Sequence, residues 1–241
     1  MANYRYLSDS SDSTIAAEES TLTQRVYDIL REEIMTGILS PGYRLVRRRE
    51  SERLGVSRMA VTEALLRLEI DGFVESKPLY GSRVRPLTLE DIQNDEVLRE
   101  ALECQAAQLA AENASNDELE QLMKKAQKLD RLITQSDMTS KLGMEAHFDF
   151  HLCLARASGF VRLAEELERI WFRRLMRLNW IKATHYKRVP ENWHQLIIQV
   201  CQRRDAQKAR EQMRQHVRYG SEDNLKALQM IFKNQNGNGT I

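Results

Sequence analysis

Glycine and proline are scarce in this chain, 10 and 4 among 241 residues, and that scarcity constrains the fold more than any other feature. So few backbone punctuators imply long helices joined by short connections. Hydrophobic residues make up 42% and charged residues 29%, which is enough apolar material for packed cores and excludes a disordered chain. The length suits one large domain or two smaller ones. No apolar run approaches the ~20 residues needed to span a bilayer, and the polar start around Ser8–Ser13 lacks a signal-peptide core. Cys104, Cys153 and Cys201 are far apart and form no CxxC pair, so they read as structural thiols in a reducing compartment. A cytoplasmic protein with no membrane partner is expected; fibrous, secreted and membrane classes are excluded.

The periodicity divides the chain. Residues 1–21 are Ser/Thr/Asp-rich and aperiodic, and read as a flexible tail. Leu22, Val26, Ile29, Leu30 and Ile34 mark one face of a helix ending at Gly37. After the Ser40-Pro41-Gly42 turn, a short helix runs from about Arg48 to Leu54 and closes at Gly55. Ser57 is a good N-cap for a third helix with Val61, Ala64, Leu65 and Leu68 inward, ended by Asp71-Gly72. Phe73–Glu75 and Ser82–Arg85 are strand-like pieces flanking Pro78 and Gly81. Three helices followed by a β-hairpin give a winged helix-turn-helix order over residues 22–87. From residue 88 the pattern is helical throughout, with helices near 88–113, 116–135, 140–157, 160–184, 190–203 and 205–228. This predicts an all-α bundle over 88–230, large enough to enclose a cavity, and a frayed end over 231–241. The fold class is mainly α: an N-terminal winged helix-turn-helix domain and a C-terminal helical bundle.

Charge is unevenly spread within a formal net of +1. Residues 22–87 carry 12 Lys+Arg and 9 Asp+Glu, a net of +3, while the tail before them nets −3. Arg44, Arg47, Arg48, Arg49, Arg53 and Arg58 form a local basic patch, which is either a solvated helix face or a nucleic-acid surface.

Pro41-Gly42-Tyr43-Arg44-Leu45, Leu54-Gly55-Val56-Ser57-Arg58, Glu63-Ala64-Leu65-Leu66-Arg67-Leu68 and Asp71-Gly72-Phe73-Val74 together resemble the DNA-binding domain of the GntR family of bacterial transcription regulators. The resemblance implies that the helix starting near Ser57 enters the major groove and that the wing near Gly81 reaches the minor groove. Carried over by position, the DNA-contact candidates are Arg48, Ser57, Arg58, Met59, Ala60, Thr62 and Gly81. Physical chemistry agrees: a helix N-terminus with Ser57 and Arg58 offers N–H groups and a hydroxyl to phosphate, and Arg58 can take guanine bidentately. Three features depart from the family pattern. Glu50 stands where an apolar residue is usual, which predicts that it leaves the core and that the short helix packs loosely. Thr62 replaces a common Arg. Arg47-Arg48-Arg49 replaces a mixed stretch, and is expected to make binding more salt-sensitive.

Leu98–Glu103, Ala110-Ala111, Phe150-His151, Ala157-Ser158-Gly159 and His194…Asp205…Ala209…His216 resemble the FCD ligand-binding domain of the FadR-type subgroup. Many members hold a divalent metal with one Asp and three His. The resemblance places His147 at the Asp position and His151, His194 and His216 at the others. The spacing suits this: His147 and His151 are i and i+4, about 6 Å apart on one helix face. Asp149 lies about 200° around that helix, away from them. His194 lies about nine residues before the Arg203-Arg204 turn and His216 about twelve after it, so an antiparallel helix pair brings both to the same end. Four neutral imidazoles leave a +2 ion uncompensated, which predicts zinc or nickel and an anionic effector. Arg99 is the candidate effector-binding residue. An alternative places an acidic ligand against Arg173, Arg174 or Arg177.

The sequence therefore reads as a homodimeric transcription regulator, not an enzyme. It would bind double-stranded DNA at a palindromic operator, with repression relieved by a small organic anion as the expected sign. Two other readings remain open: a metal-free regulator with a pocket for a larger acyl ligand, and a metal-dependent hydrolase.

Overall fold

The computed structural model describes residues 22–77, 79–86, 88–135, 141–181 and 190–234. The expected N-terminal tail, His185 and the Asn236–Gly239 end lie outside the described residues. The chain separates into two compact units, with the division between Arg85 and Pro86.

The first unit runs α1 (Leu22–Met35), β1 (Arg44–Leu45), α2 (Arg47–Leu54), α3 (Arg58–Ile70), β2 (Val74–Lys77) and β3 (Gly81–Val84). Val26, Leu30 and Ile34 of α1 and Val61, Ala64, Leu65 and Leu68 of α3 are buried, as their helical spacing requires. Phe73, Val74 and Val84 complete this core from the wing. Tyr27 Oη donates to Asp71 Oδ2 at 2.7 Å, which ties α1 to the end of α3 within the core. The expected hairpin is present, with Val74 opposite Val84 and Lys77 opposite Gly81. A third strand was not foreseen: β1 pairs antiparallel with β3, giving the order β1-β3-β2. Two residues are too short to show a period of two, so no alternation announces β1.

Glu50 corrects an expectation. Instead of leaving the core it is fully buried. Arg53, one turn later, donates through Nε to Glu50 Oε2 at 2.8 Å and through both terminal nitrogens to Glu33 of α1 at 2.6 and 2.7 Å. An arginine clamp between two carboxylates thus fastens α2 to α1, where an apolar side chain would have packed. Gly55 closes α2 at φ +65°, in the left-handed region that a glycine adopts without Cβ strain.

The second unit contains α4 (Leu89–Asn113), α5 (Asn116–Gln135), α6 (Lys141–Ala157), α7 (Val161–Ile181), α8 (Trp193–Gln202) and α9 (Ala206–Asn234). Thr88 caps α4, its hydroxyl accepting from Asp91 N at 3.0 Å. Ala106, Ala107, Ala110 and Ala111 are all buried on α4, and such small residues let neighbouring helices approach closely. The core is filled by Leu119, Leu122 and Leu129 of α5, Phe150 and Leu154 of α6, Ile197 and Ile198 of α8 and Met213 and Val217 of α9. Arg204, at φ +58° in the α8–α9 turn, donates to Ala114 O at 2.5 Å and Ala111 O at 3.3 Å, closing the end of α4. α9 runs to Asn234, past the expected end at 228 and into the stretch expected to fray. After Gly220 the chain holds no helix-breaking glycine or proline until Gly237, so nothing stops the helix earlier.

Candidate functional site

Each of the four histidines reaches one centre from a different helical position. α6 carries His147 and His151 one turn apart, α8 carries His194, and α9 carries His216. The α8–α9 turn makes those helices antiparallel neighbours, and the His194 and His216 rings lie with centroids 4.7 Å apart. The four ligand nitrogens all lie within 4.8 Å of one another. His151 Nε2 is 2.9 Å from His147 Nε2 and 3.1 Å from His216 Nε2. Four nitrogens held ~2.0–2.1 Å from one ion in a tetrahedron are about 3.3 Å apart, so the cluster has the scale of a metal site. His151, His194 and His216 are buried and His147 is partly so. His194 Nε2 is buried with no hydrogen-bond partner among the described residues. An unpartnered imidazole nitrogen facing three other imidazoles fits a cation ligand. Asp149 stays outside, bonded to Lys125 Nζ at 2.6 Å, as its angle on the helix predicts.

Burial, followed by the neighbouring histidines, holds His147 and His216 well below the ordinary imidazole range. Burial also lowers His194, against the opposing pull of Asp130. Neutral imidazoles are the form that ligates a cation.

Two carboxylates escaped the sequence reading. Glu103 of α4 touches His151 Nδ1 through Oε2, while its Oε1 accepts from Trp171 Nε1 at 3.1 Å. Asp130 of α5 lies 2.6 Å from His194 Nδ1. Burial pushes both acids up, but their bonded partners outweigh it. His151 and Arg99 hold Glu103 low, and His194 and Gln195 hold Asp130 low. The sequence-based charge count included the ligands alone; these two acids add negative charge immediately behind them.

Arg99 is buried rather than on the surface, and its guanidinium is engaged. It donates to Ser221 Oγ at 2.6 Å and Val217 O at 3.3 Å, and lies 3.0 Å from Glu96 Oε2. Glu103, one turn further along α4, is 3.9 Å away. Arg173 and Arg177 bond Asp95, and Arg174 bonds Glu96, so these three arginines of α7 are paired with acids of α4. A ligand gripped through these arginines would have to share them with Asp95 and Glu96.

In the first unit, Ser57 caps α3, its hydroxyl accepting from Ala60 N at 3.2 Å. Arg58 and Met59 project from the first turn into solvent, and Thr62 bonds back to Arg58 O at 2.8 Å. Ala60 is buried in the core, and its N–H donates to Ser57 Oγ at the start of the helix. Gly81 opens β3 at φ +79° with open space where a Cβ would stand. Of the arginine patch, Arg44 donates to Tyr80 O, Arg49 lies on Tyr43 and Arg53 clamps Glu33 and Glu50. All six arginines of the patch are exposed; Arg48 makes a loose 3.8 Å contact to Glu52.

An exposed, N-capped α3 beside a β-wing, in one chain with an all-α unit built round four histidines, defines a DNA-binding transcription regulator. The chain belongs to the GntR family of bacterial regulatory proteins, matched over residues 22–84, with an FCD domain matched over residues 96–219. It is similar to the Uxu operon regulator of Haemophilus influenzae, 32% identical over 213 residues that cover 80% of this chain and 78% of that protein. It is 33% identical to the HTH-type transcriptional repressor RspR of Escherichia coli over 101 residues, 42% of this chain and 44% of that one. The solved structure of E. coli McbR/YncC has the same fold, with a TM-score of 0.66 at 23% identity, covering 88% of this chain and 99% of that chain. These relatives are named as regulators, and the chain is a transcription regulator of that family. Among the described residues, no helix is long and apolar enough to cross a membrane.

Proposed function

We propose that the protein is a repressor that binds a palindromic operator as a homodimer and releases it when a small organic anion binds near a divalent metal, zinc or nickel, in the FCD domain. The observation that carries this reading is the convergence of four imidazoles whose ligand nitrogens lie within 4.8 Å. His147, His151, His194 and His216 would hold the ion, which when bound supplies a Lewis-acidic centre for a carboxylate. Arg99 and Arg174 add positive charge close enough to depress His216, so the surroundings favour an anion although Arg99's own donors are engaged. Arg99 belongs to the effector site on this reading through its charge.

At the operator, Arg58 and Met59 reach base edges from the start of α3, while Ser57 and Thr62 fix its first turn. Arg48 neutralises phosphate, and Gly81 lets the wing backbone approach the minor groove. A two-fold dimer presents two such units to one face of the duplex, which makes the operator palindromic. The effector alters affinity only to the degree that it prefers one arrangement of the dimer over the other.

The test is operator binding by zinc-loaded protein across a panel of small carboxylates, beside sedimentation of the free chain. Twice the 28.1 kDa chain mass, and release by at least one carboxylate in wild type but not in His147→Ala/His151→Ala, support the reading. Sedimentation as a monomer refutes the dimer, and release by acyl-CoA from metal-free protein would install the acyl-ligand alternative instead.

A further inference from the structure

The four histidines are not equivalent. Among the described residues, carboxylates touch two of them, His151 and His194, each on the nitrogen facing away from the centre. His216 Nδ1 is buried without a hydrogen-bond partner, while the contact of Glu103 Oε2 with His151 Nδ1 is a close ion contact outside hydrogen-bond geometry. Both acids are immobilised from several sides. Glu103 Oε1 accepts from Trp171 Nε1 at 3.1 Å, and its Oε2 meets His151 Nδ1. Asp130 Oδ1 lies 2.6 Å from His194 Nδ1 and accepts from His194 N at 3.1 Å. Its Oδ2 accepts from Gln195 N at 3.1 Å and Gln195 Nε2 at 3.0 Å. Neither carboxylate can swing inward to ligate without breaking these bonds.

We propose that Glu103 and Asp130 are positioning residues for the metal centre. Each fixes its histidine as the Nδ1–H tautomer with Nε2 turned to the ion, and together they supply the negative charge that four neutral imidazoles lack. The inference rests on the reading that the histidines hold a divalent ion. A carboxylate behind a ligating imidazole sets the tautomer, orients the ring and raises ligand basicity. Two such acids bring the formal charge of a +2 ion with four neutral ligands to zero, before the flanking Arg99 is counted. Buried charge uncompensated in this way is costly, so the acids favour occupancy by a dication over an empty site. The centre is thereby an all-nitrogen site with its anions one layer out, a donor set suited to zinc or nickel and poorly matched to the oxygen-preferring magnesium.

The experiment is competition for zinc between the full-length protein and a chromophoric chelator. It compares wild type, Glu103→Gln and Asp130→Asn, each also combined with His147→Asp. Helical content and the melting temperature of each metal-free variant are recorded alongside. Each single change is expected to weaken zinc by about 10–100-fold. In the His147→Asp background a ligand carboxylate replaces the missing charge, so the loss on Glu103→Gln is expected to shrink. A loss of equal size in both backgrounds, with a lowered metal-free melting temperature, would show a packing role and overturn the electrostatic assignment. Wild-type affinity in both single variants would overturn the proposal while leaving the metal site intact. Absence of zinc binding by wild type would overturn the metal reading and this inference with it. Asp130 also holds the start of α8, so if Asp130→Asn loses helical content, Glu103→Gln alone decides.

Discussion

Asp130 and His194 are joined twice: one carboxylate oxygen of Asp130 accepts from the His194 backbone N–H at 3.1 Å and lies 2.6 Å from its ring Nδ1. Asn192, at the N-cap position of α8, makes no side-chain capping bond, so an acid from α5 does that work in its place. Fixing the first turn of α8 and fixing the ring of His194 are therefore one interaction. Asp130→Ala is expected to cost about 1–2 kcal/mol of stability through the lost cap, with a further loss from the ring contact left unmade. Denaturant unfolding followed by tryptophan fluorescence measures this. Trp171, Trp180 and Trp193, the three tryptophans of the chain, all lie in the second unit.

Glu96 is one of the buried acids that tie the stability of that unit to pH. Burial alone would raise its carboxyl, but Arg174, Arg99 and Arg177 outweigh burial and hold it at about 2. The folded value lies below the ordinary 4.5. The associated stability is thus fully present above pH 4.5 and is lost as pH falls toward 2. Unfolding free energy is expected to decline through that window. Glu96→Gln is expected to lose about 3–5 kcal/mol at pH 7, because buried arginines lose their partner, and to show a shallower decline in acid. An unchanged acid slope in the variant would contradict this account.

DNA binding separates the arginines by role. Arg58→Ala is expected to cost about 1–3 kcal/mol on the specific operator and to relax selection at the base it reads. Arg48→Ala is expected to weaken all sequences alike and to reduce the salt slope by about one phosphate contact. Arg53→Ala is expected to destabilise the winged unit without a comparable change in salt slope, since its guanidinium is held by Glu33 and Glu50. Fluorescence anisotropy over a series of salt concentrations distinguishes the three. All six arginines of the patch are exposed, and Arg44, Arg49 and Arg53 also have partners within the unit.

The histidines were legible in the sequence because the resemblance to the FCD domain marks their positions, and helical geometry supports that assignment. His147 and His151 share a face at i and i+4, and a short turn between antiparallel helices sets His194 against His216. Glu103 and Asp130 were not legible, because no local period links α4 or α5 to α6 and α8. Their signal was weaker: Glu103 adjoins Cys104 and lies near Ala106 and Ala107 on an apolar face, and Asp130 follows Leu129. A lone acid among buried positions needs a partner, but the sequence does not say which one. Glu50 failed for the same reason, since its clamp on Arg53 and Glu33 exists only once α2 meets α1. The arginines of α7 likewise read as a free basic face until Asp95 and Glu96, about 80 residues earlier in sequence, were found against them.

Metal content of freshly purified protein, beside that of His147→Ala/His151→Ala, tests the central claim most directly. The account predicts about one zinc or nickel ion per chain in wild type and none in the variant, with both chains folded. A wild-type chain that is folded, carries no ion and takes up none when zinc or nickel is supplied would contradict it. The four histidines would then be a packed core cluster, and the effector site would have to be sought elsewhere in the FCD domain.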